Sequence, residues 1–282
     1  MRRRALCWLA ICAALTPLAA APAAPRPMRI MSMNECTDLL VLQLVPKARI
    51  ASVTYRAHDA IRFIQPGLDA GVPINHGSSE EIVGEAPDLI IAGDFSTPVT
   101  RRLARAAGAP LIEVKSATSF EDIRAITRQV GAAVGEPERA ETLIAQMDRT
   151  LAQLAASPPP KPFVVAAWSG DSVPGKKTLA NAIIEAAGAI NIASRLNNEQ
   201  YNSFGIEELL AARPDVLMYG QTSKEKPSLT DAGASNRALR GLYAHREITY
   251  PETLYNCGVP QSAKAAADLR AALIAVSRGA GK

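Results

Sequence analysis

At 282 residues the chain has room for one large domain or two of ordinary size. Its 48% apolar content supports a packed core and excludes a disordered chain, and aromatics at 5% leave that core mainly to Ala, Leu, Ile and Val. The formal charge of +4 becomes +1 once the three arginines at positions 2–4 are set aside, so no basic surface points to nucleic acid.

Those arginines open a segment that reads as a secretory signal peptide over residues 1–23. The apolar stretch from Ala5 to Leu18 is too short to span a bilayer comfortably, and Ala21-Pro22-Ala23 offers a small-residue cleavage site. Cys7 and Cys12 leave with this segment, while Cys36 and Cys257 stay. An exported chain meets an oxidising compartment, so this pair reads as a disulfide. A thiolate pair gripping a soft metal and two separate buried thiols remain open beside it.

Residues 28–33 form a short apolar strand ending in Asn34-Glu35-Cys36-Thr37, and a helix is expected from Asp38 to Leu44. A strand over 49–53 ends at Thr54-Tyr55-Arg56-Ala57-His58. Ser79 is expected to cap the helix bearing Glu80 and Glu81, and a strand over 88–92 runs into Gly93-Asp94-Phe95-Ser96. A helix over 99–107, a strand over 110–114 and a helix opened by Ser119 complete the first part. Residues 136–157 carry Ala140, Leu143, Ile144, Met147, Leu151 and Leu154 at helical spacing, with Pro137 where a first turn accepts one. This predicts a rod of roughly 33 Å, ended by Pro158-Pro159-Pro160.

Beyond the prolines the alternation resumes. Strands are expected over 163–167, 215–219 and 247–250, with helices over 179–187 and 262–277. The loops after the strands are Trp168-Ser169-Gly170-Asp171, Gly220-Gln221-Thr222 and 252–257, and the polar run 222–236 reads as a surface loop. Strand–helix alternation implies parallel sheets, whose ligands bind beyond the carboxyl ends of the strands.

The two parts also resemble each other. Glu80 to Gly93 reads EEIVGEAPDLIIAG, and Glu207 to Gly220 reads EELLAARPDVLMYG, 127 residues later with no gap. The pattern predicts an α/β chain of two lobes of one design, residues 24–135 and 158–282, each a mainly parallel sheet with flanking helices, joined by the long helix at 136–157.

In this order, the opening RIMSMNECTDLLVLQL, the two E-E…P-D blocks, the linking helix and the ending PETLYNCGVPQSAKAAADL resemble the substrate-binding proteins of ABC importers for metal chelates: ferric siderophores, haem and cobalamin. The resemblance implies a class III periplasmic binding protein, with two Rossmann-like lobes, one helical linker and a shallow cleft. It implies a monomer in the periplasm that delivers a chelate to an ABC permease dimer, with no chemistry and no cofactor or metal of its own. It also implies that one surface glutamate per lobe, by motif position Glu80 and Glu207, meets permease arginines.

Candidate ligand contacts come from the loops beyond the strands. Tyr55, Arg56 and His58 follow the second strand, where an arginine suits an anionic chelate. Trp168 and Tyr255 can stack on a flat ligand, and Asn34, Glu35, Asp94, Asp171 and Asn256 can hydrogen-bond polar edges. A ferric siderophore or related iron complex is the first reading, with cobalamin and haem as alternatives. A bare metal ion held by His58, His76 and a carboxylate is weaker, since no tight ligand spacing exists. A secreted metal-dependent hydrolase is weaker still: the chain has no G-x-S-x-G, H-E-x-x-H or P-loop. A binding protein that signals to a receptor and feeds no permease also stays open.

Overall fold

The structure is a computed structural model, and it describes residues 26–94, 98–106, 108–168, 172–196, 198–203, 206–221 and 241–279. Residues 1–23, expected as a signal peptide, and Asp171 and the polar run 222–236 lie outside these residues. No helix among the described residues is long and apolar enough to cross a membrane.

The N-terminal sheet has five strands: β1 (Ile30–Ser32), β2 (Ile50–Thr54), β3 (Ile74–Asn75), β4 (Leu89–Gly93) and β5 (Leu111–Val114). They lie in the order β3-β2-β1-β4-β5, and all pairs are parallel. Ile30 faces one layer and Met31 the other, and both are fully buried, so helices cover the sheet on both sides. The helices of this part are α1 (Glu35–Leu44), α2 (Ala57–Ile61), α3 (Ser79–Glu85), α4 (Pro98–Ala106) and α5 (Phe120–Ala133). The helix expected from Asp38 starts three residues earlier, because the Asn34 side chain accepts the Cys36 N–H and fixes the N-terminus there. Likewise Ser78, and not Ser79, caps α3, since only Ser78 stands three residues before Glu81 and completes a capping box with it.

The C-terminal sheet has β6 (Val164–Trp168), β8 (Ile190–Asn191), β10 (Val216–Gln221) and β11 (Glu247–Pro251), in the order β11-β10-β6-β8 and all parallel. This repeats the β2-β1-β4-β5 part of the first sheet in the same sense. β7 (Ser172–Val173) and β9 (Asn202–Ser203) form a separate antiparallel ribbon. Helices described here include α7 (Leu179–Ala186), α8 (Ala193–Leu196), α9 (Ile206–Ala211), α10 (Glu252–Asn256) and α11 (Ser262–Gly279). The stretch 252–257, expected as a loop, is mostly the short helix α10.

The repeated Pro-Asp has a shared task. In the first lobe the Asp88 carboxylate accepts the Met28 and Arg29 N–H groups at 2.7 and 2.8 Å, just before β1. In the second lobe Asp215 accepts the Val164 N–H at 2.8 Å, at the start of β6. Each aspartate thus fastens the strand it opens to the first strand of its own sheet. Two residues earlier, Ala86 and Arg213 both take the left-handed conformation, with φ of 43° and 53°, to end the preceding helix. An arginine then satisfies the orphaned carbonyls of that helix end. Arg29 donates to Glu85 and Ala86, and Arg195 to Ala212 and Arg213.

The linking helix α6 (Pro137–Ala156) has Pro137 in its first turn, as the pattern requires. It is more than a strut. Ala140, Ile144, Met147 and Leu154 are buried, and the helix packs on α5, α7 and α11. One apolar cluster runs from Ile30 and Leu44 through Met147 and Leu154 to Ala167 and Leu273, so the two lobes share a core.

Candidate functional site

In the first sheet the strand order reverses between β1 and β4, the place where an open α/β sheet leaves a crevice beyond its carboxyl ends. That crevice is present and is lined by Asn34, Gly93, Asp94, Ser116, Asn256 and Gly258 among others. Its volume of about 30 Å³ admits a water molecule, so a larger solute would rest above it. Gly93 is required here because a side chain would collide with Asn34, whose amide lies 2.9 Å from the position of the missing Cβ. Gly258 is required for the same reason against Ala117, at 2.2 Å.

Asn256 and Gly258 belong to the second lobe, so the C-terminal segment closes one wall of the first lobe's crevice. Three ties hold it there. Cys36 and Cys257 form a disulfide, the Thr253 hydroxyl donates to Glu35 Oε1 at 3.4 Å, and Gln261 donates to Gln43. The carboxyl ends of the two sheets therefore meet at one rim.

The expected site residues fall along this rim in different states. Asn34 spends its side-chain oxygen on the cap of α1. Glu35 is largely enclosed. Burial raises its pKa above the usual carboxylate value, and the charge of Arg56 and the Thr253 hydroxyl offset that in part. The exposed Asp94 accepts the Ser116 N–H at 2.9 Å and its hydroxyl at 2.5 Å, joining the loops after β4 and β5. Tyr55 is 47% exposed, and Arg56 lies over its ring at 5.4 Å. His58 is turned aside, with Nδ1 at 2.8 Å from Asp69, and that hydrogen bond raises its pKa. Trp168 ends β6 at the same rim. Asn256 is exposed and accepts the Tyr201 hydroxyl at 3.2 Å.

Tyr255 departs from expectation. It was expected as a stacking surface in the cleft, and it is 2% exposed, packed on Tyr250 with ring centroids 4.4 Å apart. The turn of α10 carries the ring inward, where burial raises the phenol pKa. An exposed ring beside this segment is Tyr201, 43% exposed; its place just before the second E-E helix is a signal the sequence carried.

Other rim residues stand out only in three dimensions. His76 stacks on Tyr55, with centroids 5.3 Å apart and planes at 16°. Asp38 is wholly buried beneath the rim, where burial pushes its pKa up to about 7, only partly offset by Ser32 and Thr54. Its Oδ2 accepts the Thr54 N–H at 3.2 Å and the Thr54 hydroxyl, so it holds the strand that carries Tyr55 and Arg56. Among the described residues no three His, Cys, Asp or Glu side chains gather to hold a metal ion.

Glu80 and Glu207 are exposed in the first turns of α3 and α9. Each of these helices leads into a strand parallel to the rest of its sheet, so each begins at the carboxyl edge. Both glutamates thus stand on the rim side of their lobes.

The profile of a family described as "Periplasmic binding protein" matches residues 51–247. A curated relative, the "Cobalamin-binding protein" of Halobacterium salinarum, is 27% identical over 237 residues, covering 82% of this chain and 62% of the relative. The chain thus spans under two thirds of that relative's length. Among solved structures, the periplasmic heme-binding protein RhuT from Roseiflexus sp. RS-1, in apo form, superposes with a TM-score of 0.71 at 25% identity, covering 88% of this chain and 98% of that one. The periplasmic heme-binding protein HutB of Vibrio cholerae superposes with a TM-score of 0.72 at 20% identity, covering 87% and 98%.

Proposed function

This chain belongs to the periplasmic binding protein family, and from that premise we propose that it captures a metal chelate, a ferric siderophore or related iron complex, at the rim between its lobes and hands it to an ABC permease. The task is capture and release, with no bond made or broken. The observation that carries the reading is the shared rim: exposed Tyr55, Arg56, His76, Tyr201 and Asn256 line it, and Glu80 and Glu207 stand beside it on matched helices. Arg56 suits an anionic chelate, and two exposed carboxylates suit arginines on a partner. The working form is a monomer in the periplasm, exported by the segment 1–23.

Cobalamin or haem is the second reading. The stacked Tyr55–His76 pair offers a flat aromatic surface to a macrocycle, and the relatives above are named for those two ligands.

One experiment tests both levels. The mature chain, in which Trp168 is the lone tryptophan, is titrated with a ferric catecholate, ferric citrate, cyanocobalamin and haemin by intrinsic fluorescence, alongside the Glu80→Ala/Glu207→Ala variant. One solute is expected to quench with the same affinity in both proteins, while uptake in cells falls to background for the variant. Quenching by none of the four overturns the chelate reading. Loss of affinity in the variant overturns the docking role.

A further inference from the structure

Glu81 does more than an ordinary capping box asks of it. Its carboxylate accepts the Ser78 N–H at 2.9 Å, which is the cap itself. It also accepts the His76 N–H at 3.0 and 2.9 Å and lies 3.2 Å from His76 Nδ1. These contacts with His76 are not needed to start a helix. They fix a residue whose ring lies on Tyr55, and the Tyr55 N–H in turn donates to the Asn75 carbonyl at 3.1 Å. Six residues, 76–81, thus join the exposed ring pair at the rim to the first turn of α3, where Glu80 sits next to Glu81. The second lobe has no such link in its sequence: Gly205 and Ser203 stand where Ser78 and His76 stand in the first.

We infer that Glu81 is a positioning residue that couples the Tyr55–His76 ring pair to the helix presenting Glu80, so that a solute settling on the rings firms the docking face of the N-terminal lobe. This rests on the reading that the rings face cargo and Glu80 faces the permease. The physical route is short. A solute that holds the imidazole in place preserves its contacts with the Glu81 carboxylate, and that carboxylate in turn keeps the first turn of a seven-residue helix from fraying. With Ser203 and Gly205 in place of His76 and Ser78 in the C-terminal lobe, the permease would sense cargo through one lobe and use the other as a fixed anchor.

The test needs neither cargo nor permease, so its outcome is separate from that of the transport reading. Amide hydrogen exchange is followed in the folded mature chain over residues 79–85, with 206–211 as the internal reference. Tyr55→Ala is expected to speed exchange over 79–85 by about fivefold or more and to leave 206–211 unchanged. Glu81→Gln alone is expected to speed the same residues. Adding Tyr55→Ala to it should then have no further effect, because both act through one link. Unchanged exchange over 79–85 in Tyr55→Ala overturns the inference, and so do additive effects in the double variant. A role confined to capping moves the Glu81 variant alone.

Discussion

The two lobes solve one problem with different chemistry. In the first, the helix after the leading strand is fastened to the second strand by an acid, Asp38 on Thr54. In the second, a pair of amides makes the tie: Asn191 Nδ2 donates to Asn181 Oδ1 at 3.1 Å, and also to the Pro174 carbonyl at 2.9 Å. All of these side chains are buried. An amide pair satisfies itself at any pH. The acid does not: its Oδ1 is enclosed without a hydrogen-bond partner, and burial favours the protonated form up to about pH 7. A shared topology therefore does not imply a shared response to pH, and the first lobe carries the sensitivity.

The most disruptive way to break this comparison is to separate the lobes at the rim. Cys36→Ser with Cys257→Ser opens a loop of 221 residues and is expected to cost about 2–5 kcal/mol in chemical denaturation. Unfolding should stay a single transition, because α6 and α11 still share one core. Two separated transitions would show that the lobes are independent units.

A sharper test exchanges the two ties. For Asp38 the folded pKa is about 7 and the unfolded value is near 3.9, so folding takes up a proton between them. The contribution to stability is fully present below about pH 4 and is lost as pH rises to about 7, by roughly 2–4 kcal/mol. Asp38→Asn should remove that slope and raise stability at pH 8, and Asn181→Asp should introduce a slope of the same sign in the other lobe. Urea melts between pH 4 and 8 would read both.

The smallest expected effect concerns the repeated Pro-Asp. Asp88→Ala removes two hydrogen bonds just before β1 and Asp215→Ala one at the start of β6, so losses of about 2 and about 1 kcal/mol are expected, in that order, by thermal melts. Equal losses would mean that the second amide of the first lobe gains nothing from its bond.

Long periodic elements were legible. The stripe from Ala140 to Leu154 and the run 262–277 emerge as α6 and α11, and the blocks leading to β4 and β10 match in register down to the left-handed residue before Pro-Asp. Two-residue strands such as β3, β7, β8 and β9 were not legible, because two residues cannot show an alternation. Asn75 and Asn202 share a position in the repeat, yet Asn75 lies buried at the edge of the main sheet and Asn202 lies exposed in a separate antiparallel ribbon. At the site, the polar loops were found by the rule for carboxyl ends, which needs only the strand pattern. Tyr255 was misplaced because a five-residue helix sets its direction, and Asp38 passed unnoticed because burial is not written in a residue's name.

The amino-acid order alone determined the alternation of strands and helices, the connecting helix, and the repeat with its paired glutamates. These follow from local periodicity and spacing, which act along the chain. Only the tertiary structure decided that the lobes share one core, that Cys36 meets Cys257, that His76 lies on Tyr55 and that Asp38 is sealed from water. Each of those depends on segments distant in sequence arriving at one place. The energies that matter there, desolvation and close packing, do not exist until they have arrived.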